Sequence, residues 1–342
     1  MFESFPLWGN GFVFAGAAAA VWAAGTRIAG YADAIAETTG IGRGLLGILL
    51  LGGVTSLPEM AVASTASLAG HPALSVNDLL GSAAINVVII AVADAVLGRG
   101  AISSVLASPG VLLQGVLGIV LLAMVAGATM TVDVPLLGAS AWTWLLLCAT
   151  AVALWVVARS NSASAWKAVR KPGQERRGAG SQHGAQALRP VIAKTAVAGA
   201  VVLVAGFLLA NSAEAIAVQT GLGTSFVGAV LLGASTSLPE VSTVIAAVRL
   251  RRYEMAVSDI FGTNLFNITI IFAVDALYDG PPVLAEVGPF AGFAALLAIV
   301  LTALYLAGMI ERRDRTVARM GYDSLAAMAT YGAGVALLYQ LR

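Results

Sequence analysis

The sequence is poor in charge, in histidine and in cysteine. Asp, Glu, Lys and Arg together make up 11% of its 342 residues, and it contains two His and one Cys. So few imidazoles and thiols exclude a disulfide framework and a metal site built from clustered His or Cys. The 19 basic and 18 acidic residues nearly cancel, which gives no electrostatic support for a nucleic-acid partner. We expect Cys148, which lies in an apolar run, to be a buried and inert thiol.

Hydrophobic residues form 59% of the chain, above the roughly 45–50% that is usual in soluble proteins. A soluble core of this size could not cover so much apolar surface, so the sequence predicts a protein that lies in lipid. Backbone polar groups cannot remain unpaired in hydrocarbon, and the spans are therefore predicted to be helices. The N-terminus has no basic region and no cleavage site, so its first apolar run is predicted to be a retained span.

Ten apolar runs predict ten transmembrane helices, because about 20 apolar residues cross a bilayer. They cover approximately residues 8–30, 42–68, 74–97, 104–127, 136–158, 191–213, 222–248, 255–278, 288–310 and 322–340. All of the 19 basic residues except Arg342 fall on one side of this arrangement. Since Lys and Arg concentrate on the cytoplasmic side, we expect a multi-pass plasma-membrane protein with both termini outside.

The chain divides into two halves and a linker. Residues 1–158 form the first five-helix half, residues 159–190 form the linker, and residues 191–342 form the second five-helix half. The linker is rich in Ser, Gly and basic residues, which predicts a flexible cytoplasmic loop whose charge suits contact with anionic lipid. It has too little apolar surface to fold as a regulatory domain.

The two halves contain copies of one segment, at about 39–95 and 220–276. The sequence TSLPE occurs at 55–59 and again at 236–240, which is 181 positions later. The same spacing relates four further identical pairs, namely Asp78 and Asp259, Gly81 and Gly262, Asn86 and Asn267, and Asp94 and Asp275. Because five is an odd number of helices, the two copies are predicted to have opposite orientations. Inverted repeats with Pro-broken helices are typical of secondary transporters.

Two glutamates, Glu59 and Glu240, are predicted to lie in the middle of spans. A carboxylate buried in a membrane is unfavourable and usually marks function, and no Lys or Arg lies at a matching depth. Pro58 and Pro239 each leave a backbone carbonyl without its helical partner beside these glutamates. Hydroxyl and amide side chains complete the candidate set, which comprises Thr55, Ser56, Ser82, Asn86, Thr236, Ser237, Thr263 and Asn267.

These groups are oxygen ligands, which suit calcium and sodium but not zinc or copper. Ser and Thr taken alone are equally compatible with simple helix packing, since small polar residues join membrane helices. Asp78 and Asp259 are predicted to lie around the site or in its vestibules. Asp94 and Asp275 are expected near the membrane surface, where Asp94 could form a solvated ion pair with Arg99.

The two TSLPE segments, together with residues 81–86 (GSAAIN) and 262–267 (GTNLFN), resemble the α-repeats of the calcium/cation antiporter superfamily. Within it the chain is most similar to the sodium/calcium exchanger family. The resemblance covers about a third of the chain and implies an all-α integral membrane protein with ten transmembrane helices in two inverted five-helix repeats. It also implies that the candidate side chains above hold the ion, with backbone carbonyls near Gly52 and Gly233.

Several positions differ from the family pattern. Val54 and Ser235 stand where Gly is usual, and Ala83 stands where Asn is expected. Asp78 and Asp259 stand where Asn is common, and Asn occupies both 86 and 267, where some members have Asp. These differences leave ion selectivity open.

The expected function is exchange of Ca²⁺ for Na⁺ or H⁺ by alternating access at a site near the membrane midplane. The expected partners are these cations and membrane lipid, with no cofactor. A monovalent-cation or magnesium antiporter driven by protons is the main alternative. A cation channel is an alternative of another class. An intramembrane enzyme is disfavoured because no suitable base accompanies a nucleophile.

Overall fold

The computed structural model describes residues 4–97, 102–105, 108–160, 188–220, 233–312, 316–317 and 320–340. Apart from two short hairpins and connecting turns, these residues are helical. The predicted all-α architecture is therefore confirmed. Most of the predicted linker lies outside the described residues, as does the first part of the predicted seventh span.

The described part of the first half consists mainly of helices, with one hairpin. Its helices are α1 (Leu7–Thr39), α2 (Arg43–Leu46), α3 (Gly53–Thr55), α4 (Leu57–Leu68), α5 (Pro72–Leu97), α6 (Ile102–Val105), α7 (Pro109–Ala128) and α8 (Ala141–Ser160). A π-helical segment, Gly47–Gly52, joins α2 to α3. The antiparallel strands β1 (Pro135–Leu136) and β2 (Ala139–Ser140) lead directly into α8.

The described part of the second half repeats this order. Its helices are α9 (Leu188–Gln219), α10 (Gly233–Thr236), α11 (Leu238–Arg249), α12 (Tyr253–Leu277), α13 (Val283–Glu286), α14 (Gly288–Glu311) and α15 (Tyr322–Gln340). The strands β3 (Thr316–Val317) and β4 (Met320–Gly321) pair in an antiparallel hairpin before α15. Strands β1 and β3, helices α4 and α11, and helices α6 and α13 all begin 181 residues apart. The spacing found in the sequence at 39–95 thus extends to the last helix of each half.

The apolar helices account for membrane insertion. Among the described residues, seven helices (α1, α5, α7, α8, α9, α12 and α14) are long and apolar enough to cross a membrane. The bent pair Arg43–Thr55 and Leu57–Leu68, with 42° between its parts, raises the number to as many as eight. Of these spans, α5 and α12 are the most buried. They pack against each other in the main hydrophobic core and belong to the two copies of the repeat.

The prediction of a buried thiol was wrong. Cys148 is exposed on α8. Leu145, Val152 and Trp155 are exposed on the same helix. This apolar surface is suited to lipid, because large apolar side chains are favourable there. An apolar run in a membrane protein thus does not separate a side chain that faces the core from one that faces lipid.

Asp94 and Asp275 are not at a solvated surface, so this prediction was also wrong. Asp94 is buried and accepts hydrogen bonds from the backbone N–H groups of Ile102 and Gly321, each at 2.7 Å, and from the hydroxyl of Ser324 at 2.8 Å. Its expected partner, Arg99, lies outside the described residues. The three donors thus belong to the start of α6, the end of β4 and the start of α15.

Asp275 makes the equivalent set of contacts. It accepts hydrogen bonds from the backbone of Val283 at 2.9 Å, from the backbone of Ser140 at 2.6 Å and from the hydroxyl of Thr143 at 2.6 Å. Every donor lies 181 positions from its counterpart around Asp94. Each carboxylate therefore ties a repeat helix of one half to the last hairpin and helix of the other half.

We expect Asp94→Ala and Asp275→Ala each to destabilise the fold. Each substitution leaves two buried N–H groups and one hydroxyl without their acceptor, and an unsatisfied buried group costs about 1–3 kcal/mol. Thermal unfolding of the purified protein in detergent should show a lower midpoint for both variants. Asp279→Ala, at an exposed residue, is the matched control. Midpoints equal to that of the control would contradict the structural role.

Candidate cation site

Glu59 and Glu240 each lie in the first turn of a helix that begins inside the molecule. The chain turns at Ser56 and at Ser237, and the new helices α4 and α11 carry proline as their second residue. Proline is favourable in a first turn, where its missing N–H would have no helical partner. The N-terminal end of a helix carries partial positive charge, which stabilises a nearby carboxylate. Both glutamates are completely buried.

Glycine brings each TSLPE segment against the repeat helix of the other half. A Cβ atom on Gly52 would lie 2.9 Å from the backbone nitrogen of Thr263. A Cβ atom on Gly233 would lie 2.8 Å from the backbone nitrogen of Ser82. The residues of one contact lie 181 positions from the corresponding residues of the other. Only glycine permits so close an approach. The segment from each half therefore meets α12 or α5 of the opposite half.

Hydroxyl groups meet across this crossing. The Oγ1 atoms of Thr55 and Thr263 are 3.1 Å apart, and the Oγ atoms of Ser82 and Ser237 are 2.9 Å apart. Ser82 also donates to Oε1 of Glu59 at 3.3 Å. The side chains of both TSLPE segments and of both following helices thus form one polar cluster.

The same cluster contains both carboxylates. The hydroxyls of Thr55 and Thr263 lie beside Glu240 without forming a hydrogen bond to it, and Glu59 and Glu240 are close enough to repel each other when both are ionised. In the described part of the chain, neither glutamate has a basic partner. Arg43 instead forms an ion pair with Asp33 at the end of α1, at 2.9 Å.

Several oxygen atoms of this cluster have no hydrogen-bond partner among the described residues. They are Oε2 of Glu59, both carboxyl oxygens of Glu240, Oδ1 of Asn86 and Oδ1 of Asn267, and all are buried. A buried oxygen without a partner is unfavourable and requires a physical explanation. Buried unpaired oxygens of this kind are suited to a desolvated cation.

The backbone carbonyls of Gly52 and Gly233 already accept hydrogen bonds. The hydroxyl of Ser56 donates to Gly52 at 2.7 Å, and the hydroxyl of Thr236 donates to Gly233 at 3.2 Å. Thr55 donates to Leu51 at 3.0 Å. A hydroxyl that donates its hydrogen retains oxygen lone pairs for a cation. These bonds therefore leave the hydroxyl oxygens available as ligands.

Asp78 and Asp259 extend the acidic character of the site. Both are completely buried, and each interacts electrostatically with the glutamate of its own half. Asp78 accepts a hydrogen bond from Thr236 at 3.4 Å, and Asp259 accepts one from Thr243. Each aspartate retains one oxygen without a partner among the described residues.

Two residues of the cluster did not enter the predicted ligand set. Thr243 contacts Asp259 and also donates to the carbonyl of Glu240 at 3.1 Å. Its position one turn after Glu240 could have indicated a role in the site. Comparison of the two repeats did not reveal it, because the residue 181 positions earlier is Val62. Asn264 is buried and contacts Asn86, although the sequence marked it only as part of a family segment.

The acidic side chains do not form a conventional metal centre. Among the residues described, no group of three or more His, Cys, Asp or Glu side chains could hold a metal ion. A cation held between two glutamates would therefore need hydroxyl, amide or carbonyl oxygens as further ligands. Such mixed oxygen coordination is usual for calcium.

Comparison with known proteins places this chain in a family. The sequence profile of the family described as "Sodium/calcium exchanger protein" matches residues 10–100 and 191–340. The chain is 27% identical over 296 residues to "Inner membrane protein YrbG" of Escherichia coli (strain K12), with 84% of each chain covered. It is 26% identical over 332 residues to "Putative antiporter CaxA" of Alkalimonas amylolytica, covering 92% of this chain and 97% of that protein.

Solved structures show the same fold. The sodium-calcium exchanger NCX_Mj, soaked with 100 mM Na⁺ and 10 mM Sr²⁺, superposes with a TM-score of 0.70 at 17% identity. The superposition covers 97% of this chain and 99% of that chain. The structure soaked with zero Na⁺ and Ca²⁺ gives a TM-score of 0.67. Because the family profile covers most of the chain, including both TSLPE segments, the chain belongs to the sodium/calcium exchanger protein family.

Proposed function

We propose that this protein is a secondary active cation antiporter that exchanges Ca²⁺ for Na⁺ or H⁺ at one shared site. The observation that carries the proposal is the pair of buried carboxylates, Glu59 and Glu240, without a basic partner in the described residues and with unpaired oxygens beside them. Family membership supports exchange rather than enzymatic chemistry. The relative CaxA is itself named as an antiporter, and NCX_Mj as a sodium-calcium exchanger.

The proposed ligands come in equal number from both halves. Glu59 and Glu240 supply the charge, and the remaining oxygens come from hydroxyls, amides and two backbone carbonyls. These further ligands are Thr55, Ser56, Ser82, Asn86, Thr236, Ser237, Thr263, Asn267, and the carbonyls of Gly52 and Gly233. Asp78 and Asp259 adjoin the site and add negative charge around it.

Charge balance explains why different cations would compete. Two glutamate carboxylates neutralise one Ca²⁺ ion, and the same pair can instead hold two Na⁺ ions or two protons. Without any cation, two like charges in a buried site repel each other and are poorly solvated. The empty site is therefore unfavourable, so the bound Ca²⁺, Na⁺ or protons are expected to leave only when another of these replaces them.

The proposed architecture has ten spans in two inverted five-helix repeats. Two spans are added to the eight counted above. One is the predicted seventh span, which bends at Ser237, and the other is the helix Tyr322–Gln340. The matched helix bounds of the two halves support the repeat, and an odd number of spans in each half inverts it. On this arrangement both termini lie outside and the linker at 159–190 is cytoplasmic.

Alternating access is proposed to involve the two long helices, α1 and α9, which pack extensively against each other. Gly25 of α1 lies against α11, where an added Cβ would contact Ser242 and would be 3.3 Å from the carbonyl oxygen of Pro239. Gly206 of α9 lies against the ring of Pro58, which an added Cβ would overlap. Gly25 and Gly206 are 181 positions apart, and each packs beside a glutamate. Movement of the long helices across these prolines would expose the site to one side at a time.

Glu59→Gln and Glu240→Gln are each expected to abolish exchange, because either change leaves a divalent cation with one compensating charge. Calcium uptake into proteoliposomes, driven separately by a sodium and by a proton gradient, should fall to the level of protein-free vesicles. Glu286→Gln, at an exposed residue, is the control and should transport normally. Normal exchange by either site variant would exclude the ligand assignment.

The same assay separates the rival functions. For a calcium exchanger, added calcium should compete with the driving ion, whereas a monovalent-cation or magnesium antiporter should be insensitive to calcium. A channel would conduct cations without any counter-ion gradient.

Gly206→Ala is expected to slow exchange, because its methyl group would overlap the rigid ring of Pro58 and obstruct the movement of α9 across it. Overpacking typically costs about 1–3 kcal/mol, which corresponds to a change in rate of about 5- to 150-fold. Gly30→Ala in α1 is the matched control, since a Cβ there meets no atom within 4 Å. Initial uptake rates at saturating calcium provide the measurement. Equal rates for the two variants would show that α9 does not move across Pro58.

A further inference from the structure

Asn264 joins the two halves through both ends of its amide group. Its side chain is buried on α12. Its Nδ2 atom donates to the backbone carbonyl of Ala83 at 3.1 Å, and its Oδ1 atom accepts a hydrogen bond from Nδ2 of Asn86 at 3.1 Å. Asn264 thus connects a helix carbonyl of α5 to a proposed ligand on the same helix.

The carbonyl of Ala83 determines which way this amide points. A backbone carbonyl oxygen can only accept a hydrogen bond, so Asn264 must turn its NH₂ group toward it. The Oδ1 atom of Asn264 must then face the opposite way, where it can only accept. Asn86 is therefore obliged to present its own NH₂ group to Asn264. The orientation of two amides follows from a single carbonyl.

This orientation leaves the oxygen of Asn86 directed away from Asn264. That oxygen is buried and has no partner among the described residues. If the amide of Asn86 were reversed, its NH₂ group would take the place of the oxygen and would repel a cation. Whether position 86 supplies a ligand therefore depends on the orientation of its amide.

Asn267, the counterpart of Asn86, is oriented by another contact. Its Nδ2 atom donates to the carbonyl of Leu79 at 3.5 Å, which again leaves its Oδ1 atom buried without a partner among the residues described. The carbonyl of Leu79 thus orients the amide of Asn267 directly, without another side chain between them. The counterpart of Asn264 is Ala83, which has no amide, so this relay exists in only one of the two halves.

We infer that Asn264 is a positioning residue that turns the carbonyl oxygen of Asn86 toward the transported cation. This inference rests on the proposed function, since it assigns a role beside the same site. Groups behind the direct ligands fix ligand orientation, and their loss commonly weakens metal binding by about 10–100-fold. Asn264 acts in this way without contacting the ion.

The test measures the half-saturating calcium concentration and the maximum rate of exchange in proteoliposomes. Asn264→Ala should raise the half-saturating concentration about 10–100-fold, with little change in maximum rate. Gln114→Ala removes another buried amide, on α7, and should leave both quantities unchanged. If Asn264→Ala is not recovered from the membrane, Asn264→Ser replaces it with the same expectation, because a hydroxyl cannot span both contacts.

A double-mutant comparison separates positioning from simple packing. Asp at position 86 has an oxygen on both sides and needs no orientation. In the Asn86→Asp background the oxygen of Asn264 would face a carboxylate oxygen that cannot donate to it, so removal of Asn264 should not raise the half-saturating concentration. An equal rise in both backgrounds, or no rise in either, would overturn the inference. Failure of the proposed function is a distinct result, in which the unaltered protein shows no cation exchange or Glu59→Gln retains it.

Discussion

The structure depends on keeping two carboxylates in an apolar interior without a permanent positive partner. Burial of a charge is unfavourable, and Glu59 and Glu240 repel each other. The fold offsets this by beginning a helix at each glutamate and by surrounding both with hydroxyl and amide groups. It does not supply a lysine or arginine to them in the described residues. A mobile cation can therefore complete the site, and that requirement links the architecture to exchange.

The two halves provide the same parts at the same spacing, yet the assembled site is asymmetric. Gly52 and Gly233 make equivalent approaches to the opposite half, as do the contacts of Asp94 and Asp275. Hydrogen bonds at the centre differ, because Ser82 donates to Glu59, whereas no described residue forms such a bond with the carboxyl oxygens of Glu240. The backbone contacts between the halves are thus symmetric. The hydrogen bonds at the centre are not, because single positions differ between the repeats, such as Ala83 opposite Asn264.

Composition and the repeated TSLPE segment were sufficient to predict a helical membrane protein and to select the side chains that meet at the crossing. The repeated segment identified these side chains because a proline followed by glutamate is rare in apolar sequence, and its recurrence is therefore informative. Other features depended on three-dimensional contacts that no pattern encodes. Two of the three donors to the buried Asp94, the backbone of Gly321 and the hydroxyl of Ser324, lie more than 200 residues away, and the exposure of Cys148 arises from the helix face it occupies. Thr243 was missed because its counterpart, Val62, has no polar group.

The central claim is that both glutamates bind the same divalent cation. Anomalous X-ray diffraction from crystals of this protein soaked with Sr²⁺ tests it directly, because Sr²⁺ scatters anomalously whereas the carbon, nitrogen and oxygen atoms of the protein scarcely do. The account predicts one strong peak within coordination distance of a carboxyl oxygen of Glu59 and one of Glu240. A peak bound to only one of the two glutamates, or located away from both, would contradict it.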